Sequence, residues 1–153
     1  MTEFQKKIEI NRSLSSAPKE VALAMLQSWS EEGLGQSRSL IHPGSTAWLA
    51  HAAGATGSES NTGTEFGIDR WLDLLAGSID SMPNGLKIIV HRIIAEDQWV
   101  SAEVESRGEL TDGRVYNMRY TFWFQVIDGR IYHMKQYFDT KYGEQFFLNS
   151  HFE

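Results

Sequence analysis

The sequence predicts an α+β domain in which helices come first and a long antiparallel sheet follows. Three observations carry this. Asp112-Gly113 and Asp128-Gly129 stand between runs of β-branched and aromatic residues, and Asp-Gly supplies the positive-φ positions of tight hairpin turns. Ahead of them, two segments space their apolar residues at the helical period. Finally, 153 residues make one domain by length, and without a single cysteine it rests on a hydrophobic core rather than on disulfides.

Residues 1–15 read as a flexible N-terminal arm and 16–153 as the single domain. Ser15-Ser16-Ala17-Pro18 offers a cap and an early-turn proline, and Glu20 adds first-turn negative charge. Val21, Ala24, Met25, Leu26 and Trp29 form an apolar stripe that Gly33 and Gly35 stop. A short second helix is expected over Ser39 to Ile41, and a short strand over Thr46 to His51. Ala52 to Thr64, with three glycines, reads as a long loop of the lid or disordered type, and no Gly-Lys-Ser/Thr makes it a phosphate cradle. Gly67 to Ser81 forms the next helix, with Trp71, Leu72, Leu75 and Ile79 on one side, closed by Pro83-Asn84-Gly85. Four strands follow, at about 86–95, 99–110, 114–127 and 130–139. About three helices therefore pack on the concave face of a sheet that curls around them as a cone-like half barrel.

Composition narrows the function. A formal charge of −6 disfavours nucleic acid, and no basic cluster suggests a membrane surface. With no signal peptide or spanning segment, a cytoplasmic protein is expected. Zero cysteines exclude thiol catalysis and zinc thiolate sites, and the five histidines show no i,i+2 or i,i+4 pairing, so no metal site and no cofactor are expected. No Gly-x-Ser-x-Gly motif offers a serine nucleophile.

Reading both Asp-Gly pairs as two-residue loops sets the strand pairing. Glu105 then faces Tyr120, Glu103 faces Phe122, Tyr120 faces Tyr137, Phe124 faces His133 and Met118 faces Asp139. Alternation with period two puts Glu103, Glu105, Tyr116, Met118, Tyr120, Phe122, Phe124, Ile131, His133, Lys135, Tyr137 and Asp139 on one face, joined by Val90, Arg92 and Ile94. Its aromatic load makes this the face that the helices cover. Val104, Asn117, Arg119, Thr121, Trp123, Gln125, Met134 and Phe138 fall on the other, which suits a partner subunit in a homodimer. A single β-bulge reverses such assignments, and Gly108 is the obvious place for one. Carboxylates at 103, 105 and 139 on a covered face imply a cavity, since a buried unpaired charge costs several kcal/mol.

The segments Glu103-Val104-Glu105-Ser106-Arg107-Gly108-Glu109-Leu110, Asp112-Gly113-Arg114, Tyr116-Asn117, Asp128-Gly129-Arg130-Ile131 and Tyr137-Phe138-Asp139-Thr140 together resemble the SnoaL-like branch of the NTF2-like superfamily. Ketosteroid isomerases, polyketide cyclases and limonene-epoxide hydrolases share that fold. The resemblance implies a conical α+β barrel with one deep apolar pocket, usually in a homodimer. It also implies Asp139 as the acid or base, at the end of the Tyr-x-Asp motif. The epoxide hydrolases' Arg is missing, because Glu103 or Val104 stands there, and Glu105 or Ser106 stands at its Asp partner. Epoxide hydrolysis is the less favoured chemistry.

The expected function is cofactor-independent acid/base chemistry on an apolar oxygenated small molecule, of isomerase, cyclase or dehydratase/hydrolase type. Asp139 moves the proton, while Glu105 or Tyr120 stabilises the developing oxyanion. Trp48, His51, Trp71, Arg92, Glu103, Tyr116, Phe122, His133 and Tyr137 are the expected substrate-binding residues. The alternative is a non-catalytic ligand-binding or dimerisation module of the same fold.

Overall fold

The computed structural model describes residues 17–30, 34–51 and 61–147. The expected N-terminal arm and most of the expected loop at 52–64 lie outside these residues. Helix α1 spans Pro18–Ser28, with proline in its first turn and Glu20 beside it. It buries Val21, Ala22, Ala24, Met25 and Leu26, while Trp29 follows its end. The Ser28 hydroxyl meets that of Ser37 at 2.6 Å, tying α1 to the short helix α2, Gly35–Ser39. This helix comes a few residues earlier than the sequence suggests.

A ten-residue strand β1, Ile41–Ala50, replaces the short strand expected at 46–51. Strand β2, Gly63–Gly67, runs from the end of the expected loop to the expected helix start at Gly67, a stretch where the sequence predicts no strand, and pairs antiparallel with β1. Gly63 allows it, because a Cβ there would lie 1.9 Å from the Trp48 ring. Helix α3, Ile68–Asp80, turns Ile68, Trp71 and Leu72 inward. The chain then runs through β3 (Lys87–Glu96), β4 (Trp99–Glu109), β5 (Val115–Ile127) and β6 (Arg130–Phe138), and ends its described part in α4, Thr140–Phe147. The six strands form one sheet in the order β2-β1-β6-β5-β4-β3, with only β1 and β6 parallel. The sheet curls without closing into a barrel.

Three registers correct the expected pairing. Residues Thr111-Asp112-Gly113 form a three-residue loop, not a two-residue one. Gly113 alone takes the left-handed conformation, at φ 85°, and Leu110 N–H bonds Arg114 O at 2.8 Å. That extra residue pairs Glu105 with Arg119 and Val104 with Tyr120. Asp128-Gly129 is a two-residue turn as expected, both residues left-handed. However, Val126 pairs Ile131 while Gln125 pairs His133, so Tyr132 is bulged and β6 beyond it is reversed. A second bulge at His91 pairs Val90 with Val104 but Arg92 with Glu103. Gly108 carries no bulge; it pairs in register with Tyr116 and makes room for the Met82 sulfur.

Candidate functional site

The inner face of β5 presents Tyr116, Met118, Tyr120, Phe122 and Phe124 in alternation, as the sequence reads. The register shifts bring different neighbours beside them: Val104 and Ser106 from β4, and Met134, Gln136 and Phe138 from β6. Helices α1 and α3 cover this wall through Trp29 and Trp71. Their rings meet at 5.3 Å, and Trp29 stands edge-on to Phe122 at 5.0 Å.

Between helices and sheet lies a cavity of about 110 Å³. Its sheet wall is Ser106, Tyr116, Tyr120, Phe122, Gln136 and Phe138, with Leu49 beside them. Its helical wall is Trp29, Trp71, Leu74, Leu75 and Ser78, closed by Met82 and Leu86. No Asp, Glu, His, Lys or Arg stands among these lining residues. Polar groups are few, and two are already committed: Trp71 Nε1–H donates to Gln136 Oε1 at 3.2 Å, and Ser78 Oγ–H donates to Leu74 O at 3.0 Å. The buried Trp29 Nε1–H has no partner among the described residues.

The Tyr116 and Tyr120 hydroxyls contact each other directly. Burial raises the Tyr116 phenol far above its ordinary value, and the neighbouring Tyr120 and Tyr142 oxygens push the same way. Burial pushes Tyr120 up to about 12, against the opposing pull of its hydrogen bond with Tyr116. Both phenols therefore stay protonated at neutral pH, available as hydrogen-bond donors.

Of the expected site residues, Trp71, Tyr116, Tyr120 and Phe122 line the cavity together. Others fall on the outer face, which corrects the pairing expected for them. Glu103 is exposed and bonds Arg119 at 2.9 Å, with Arg92 opposite it on β3. Glu105 is buried on that face, held by Arg107 at 3.0 Å, with Arg119 at 3.7 Å and His91 at 3.8 Å. His133 is turned outward by the Tyr132 bulge, its Nδ1 lying 2.7 Å from Thr46 Oγ1. Tyr137 packs on Trp48 at 5.2 Å, with Lys135 Nζ 5.7 Å above the same indole. His51, just past β1, sits 3.0 Å from Thr64 Oγ1. Asp139 lies exposed beyond the end of β6, where its Oδ1 accepts the Tyr142 N–H at 3.1 Å.

Sequence reasoning missed Gln136 and Phe138 as wall residues. Their parity depends on a bulge at Tyr132, a residue type that carries no bulge signal. Trp29 was legible as an apolar helix residue, but its orphan N–H was not. Among the described residues no cluster of three or more His, Asp or Glu side chains could hold a metal ion, and no helix is long and apolar enough to cross a membrane.

The SnoaL-like domain profile matches residues 24–134, well over half of the chain. The chain belongs to the SnoaL-like family. Solved structures agree on the fold. IdmH, a candidate polyketide cyclase from Streptomyces antibioticus, superposes at a TM-score of 0.67 with 22% identity, over 81% of this chain and 93% of its own. AclR, a candidate hydroxylase from Streptomyces galilaeus, gives 0.67 at 16% identity, over 83% and 78%. An LEH-like epoxide hydrolase from M. tuberculosis gives 0.61 at 19%, over 81% and 84%. No curated protein matches the chain. Three reaction labels on one architecture mean that the fold alone does not select the chemistry of this SnoaL-like protein.

Proposed function

We propose that this SnoaL-like chain binds a neutral, largely apolar, oxygenated small molecule in the cavity and polarises its carbonyl with the Tyr116–Tyr120 pair. The chemistry is cofactor-independent and of isomerase or cyclase type. The observation that carries this reading is the pair itself, two protonated phenols in contact on an otherwise apolar wall. With Tyr116 donating to Tyr120, the Tyr120 O–H is the one that meets a ligand oxygen. As negative charge develops on that oxygen, a preorganised donor in a water-poor site stabilises it, a contribution on the order of 10²–10³ in rate. Among the described residues the lining carries no ionisable side chain other than phenols, which favours a neutral ligand, since an ion would lack a counter-charge there. The cavity, at about 110 Å³, is smaller than the roughly 150 Å³ in which benzene fits, so its occupant is a small ketone or the ketone end of a larger molecule.

A second reading, a non-catalytic binding module, is favoured by one observation: among the described residues the lining holds no carboxylate or imidazole to serve as a base. Acetone, smaller than benzene and labelled with ¹³C at the carbonyl, tests both. Bound to the wild type, its carbonyl resonance should move downfield, and Tyr120→Phe should cancel the shift while weakening binding roughly fivefold, the worth of one hydrogen bond. A bound ketone with no downfield shift rules out the carbonyl contact. Exchange of its methyl protons with D₂O, faster with wild type than with Tyr120→Phe, supports catalysis; equal rates favour the binding module.

We further propose a homodimer through the outer sheet face, where Trp123, Tyr137 and Ile94 are 40%, 41% and 61% exposed. The cysteine-free chain suits the cytoplasm.

A further inference from the structure

The end of β6 and the start of α4 are joined more closely than a simple chain reversal requires. Asp139 Oδ1 accepts the N–H of Tyr142, three residues on, as an N-cap side chain does, and the Asp139 backbone carbonyl accepts the Gly143 N–H at 3.0 Å. Gly143 is buried against Phe138, so closely that a Cβ there would come within 2.8 Å of the ring. Tyr142 then lies parallel to Tyr116, centroids 6.2 Å apart and planes 29° apart, and its hydroxyl accepts the Asn117 N–H at 3.2 Å. Two contacts, ring on ring and the hydroxyl with the Asn117 N–H, thus clamp the first turn of α4 onto β5, the strand that carries the tyrosine pair. The family match ends at residue 134, so it does not reach this clamp.

We propose that Asp139 is a positioning residue: by capping α4 it seats Tyr142 on Tyr116 and so fixes the Tyr116–Tyr120 pair toward the cavity. This rests on the reading of that pair as the ligand-oxygen contact. The role needs an acceptor oxygen at position 139, not a proton carrier, and the carboxylate is exposed to solvent rather than part of the cavity wall. The Tyr142 oxygen beside both phenols also helps keep them protonated. If α4 lifts, Tyr116 becomes hydrated and its hydroxyl is no longer held.

The test compares Asp139→Asn, which keeps an acceptor and caps as well as Asp, with Asp139→Ala, which does not. Amide hydrogen exchange reads the clamp, tyrosinate absorbance during alkaline titration reads Tyr116, and the labelled acetone reads the pair. Asp139→Ala should speed exchange at Tyr142 and Gly143 roughly fivefold, as the loss of a cap implies. It should also bring an extra tyrosine into the ordinary range near about 10 and reduce the carbonyl shift. Asp139→Asn should match the wild type in all three. Gly143→Ala, which pushes α4 off Phe138 without touching Asp139, should reproduce the Asp139→Ala pattern. Equal loss in the Asn and Ala variants overturns the proposal in favour of a direct proton-transfer role. Unchanged exchange and titration in Asp139→Ala overturn it as well. If acetone fails to bind the wild type, the carbonyl reading falls, while exchange and titration still decide whether the clamp exists.

Discussion

The two faces of one sheet carry opposite chemistry, and β5 shows it residue by residue. Its even positions, Tyr116, Met118, Tyr120, Phe122 and Phe124, meet the helices; its odd ones, Asn117, Arg119, Thr121, Trp123 and Gln125, meet the outside. Inside, a cavity is walled by aromatic rings and a few donors, with no charged side chain among the described residues. Outside, two acids of β4 stand beside arginines: Glu103 with Arg119, and Glu105 with Arg107 and Arg119. Carboxylates are concentrated where solvent and arginines can compensate them, and the inner face keeps only groups that survive burial neutral. A tyrosine pair meets that constraint, whereas an unpaired Asp would not.

The contrast can be broken most severely at Phe122 and Trp123, adjacent residues on opposite faces. Phe122→Ala should cost about 3–5 kcal/mol, because it empties the contact with Trp29 and opens the cavity wall. Trp123→Ala should cost at most about 1 kcal/mol in the monomer, since its ring is 40% exposed. Urea denaturation measures both, and equal losses would erase the distinction between the faces. Sedimentation of Trp123→Ala addresses the dimer separately: a variant as dimeric as the wild type argues against that interface.

Glu105 comes next. Its side chain is 8% exposed, but its arginine partners are about half exposed, so water takes up much of the charge left behind on its removal. Glu105→Ala should therefore cost about 1–2 kcal/mol, below the 3–5 kcal/mol of a fully buried pair. A loss as large as that of Phe122→Ala would mean that the arginines are shielded, as a partner subunit would shield them.

The smallest effect sharpens the inner face. Tyr120 is pushed up to about 12 by burial, against about 10 for an exposed phenol. The folded chain keeps a proton that the unfolded chain loses in that window. The stability this confers is whole below about pH 10 and falls as pH rises toward 12. Urea midpoints at several alkaline pH values should decline less steeply in Tyr120→Phe. Identical slopes would show that Tyr120 is not shielded from water.

Much of this was legible in the sequence. Apolar periodicity marked α1 and α3, the Asp-Gly pairs marked two hairpins, and strict alternation along β5 put Tyr116, Tyr120, Phe122 and Phe124 on one face. Relations between strands were not legible, because they depend on single residues inserted without a composition signal. The third loop residue at 111–113 and the bulges at His91 and Tyr132 each reverse a strand relative to its neighbour. Together they move Glu103, Glu105, Arg92, His133 and Tyr137 outward, and bring Gln136 and Phe138 in. Strand β2 was hidden for a related reason: its pairing rests on Gly63 lying under Trp48, a contact between distant residues.

From the chain alone, then, came the helices α1 and α3, the strands β3 to β6 and which side chains of one strand lie together, since local periodicity is written along a single segment. The fold of the whole molecule decided which strands share those faces, whether a carboxylate meets a cavity or an arginine, and that Asp139 caps a helix. Register between strands is set by packing and by the turn at each end, and a shift of one residue costs no local propensity while exchanging every side chain between the two faces.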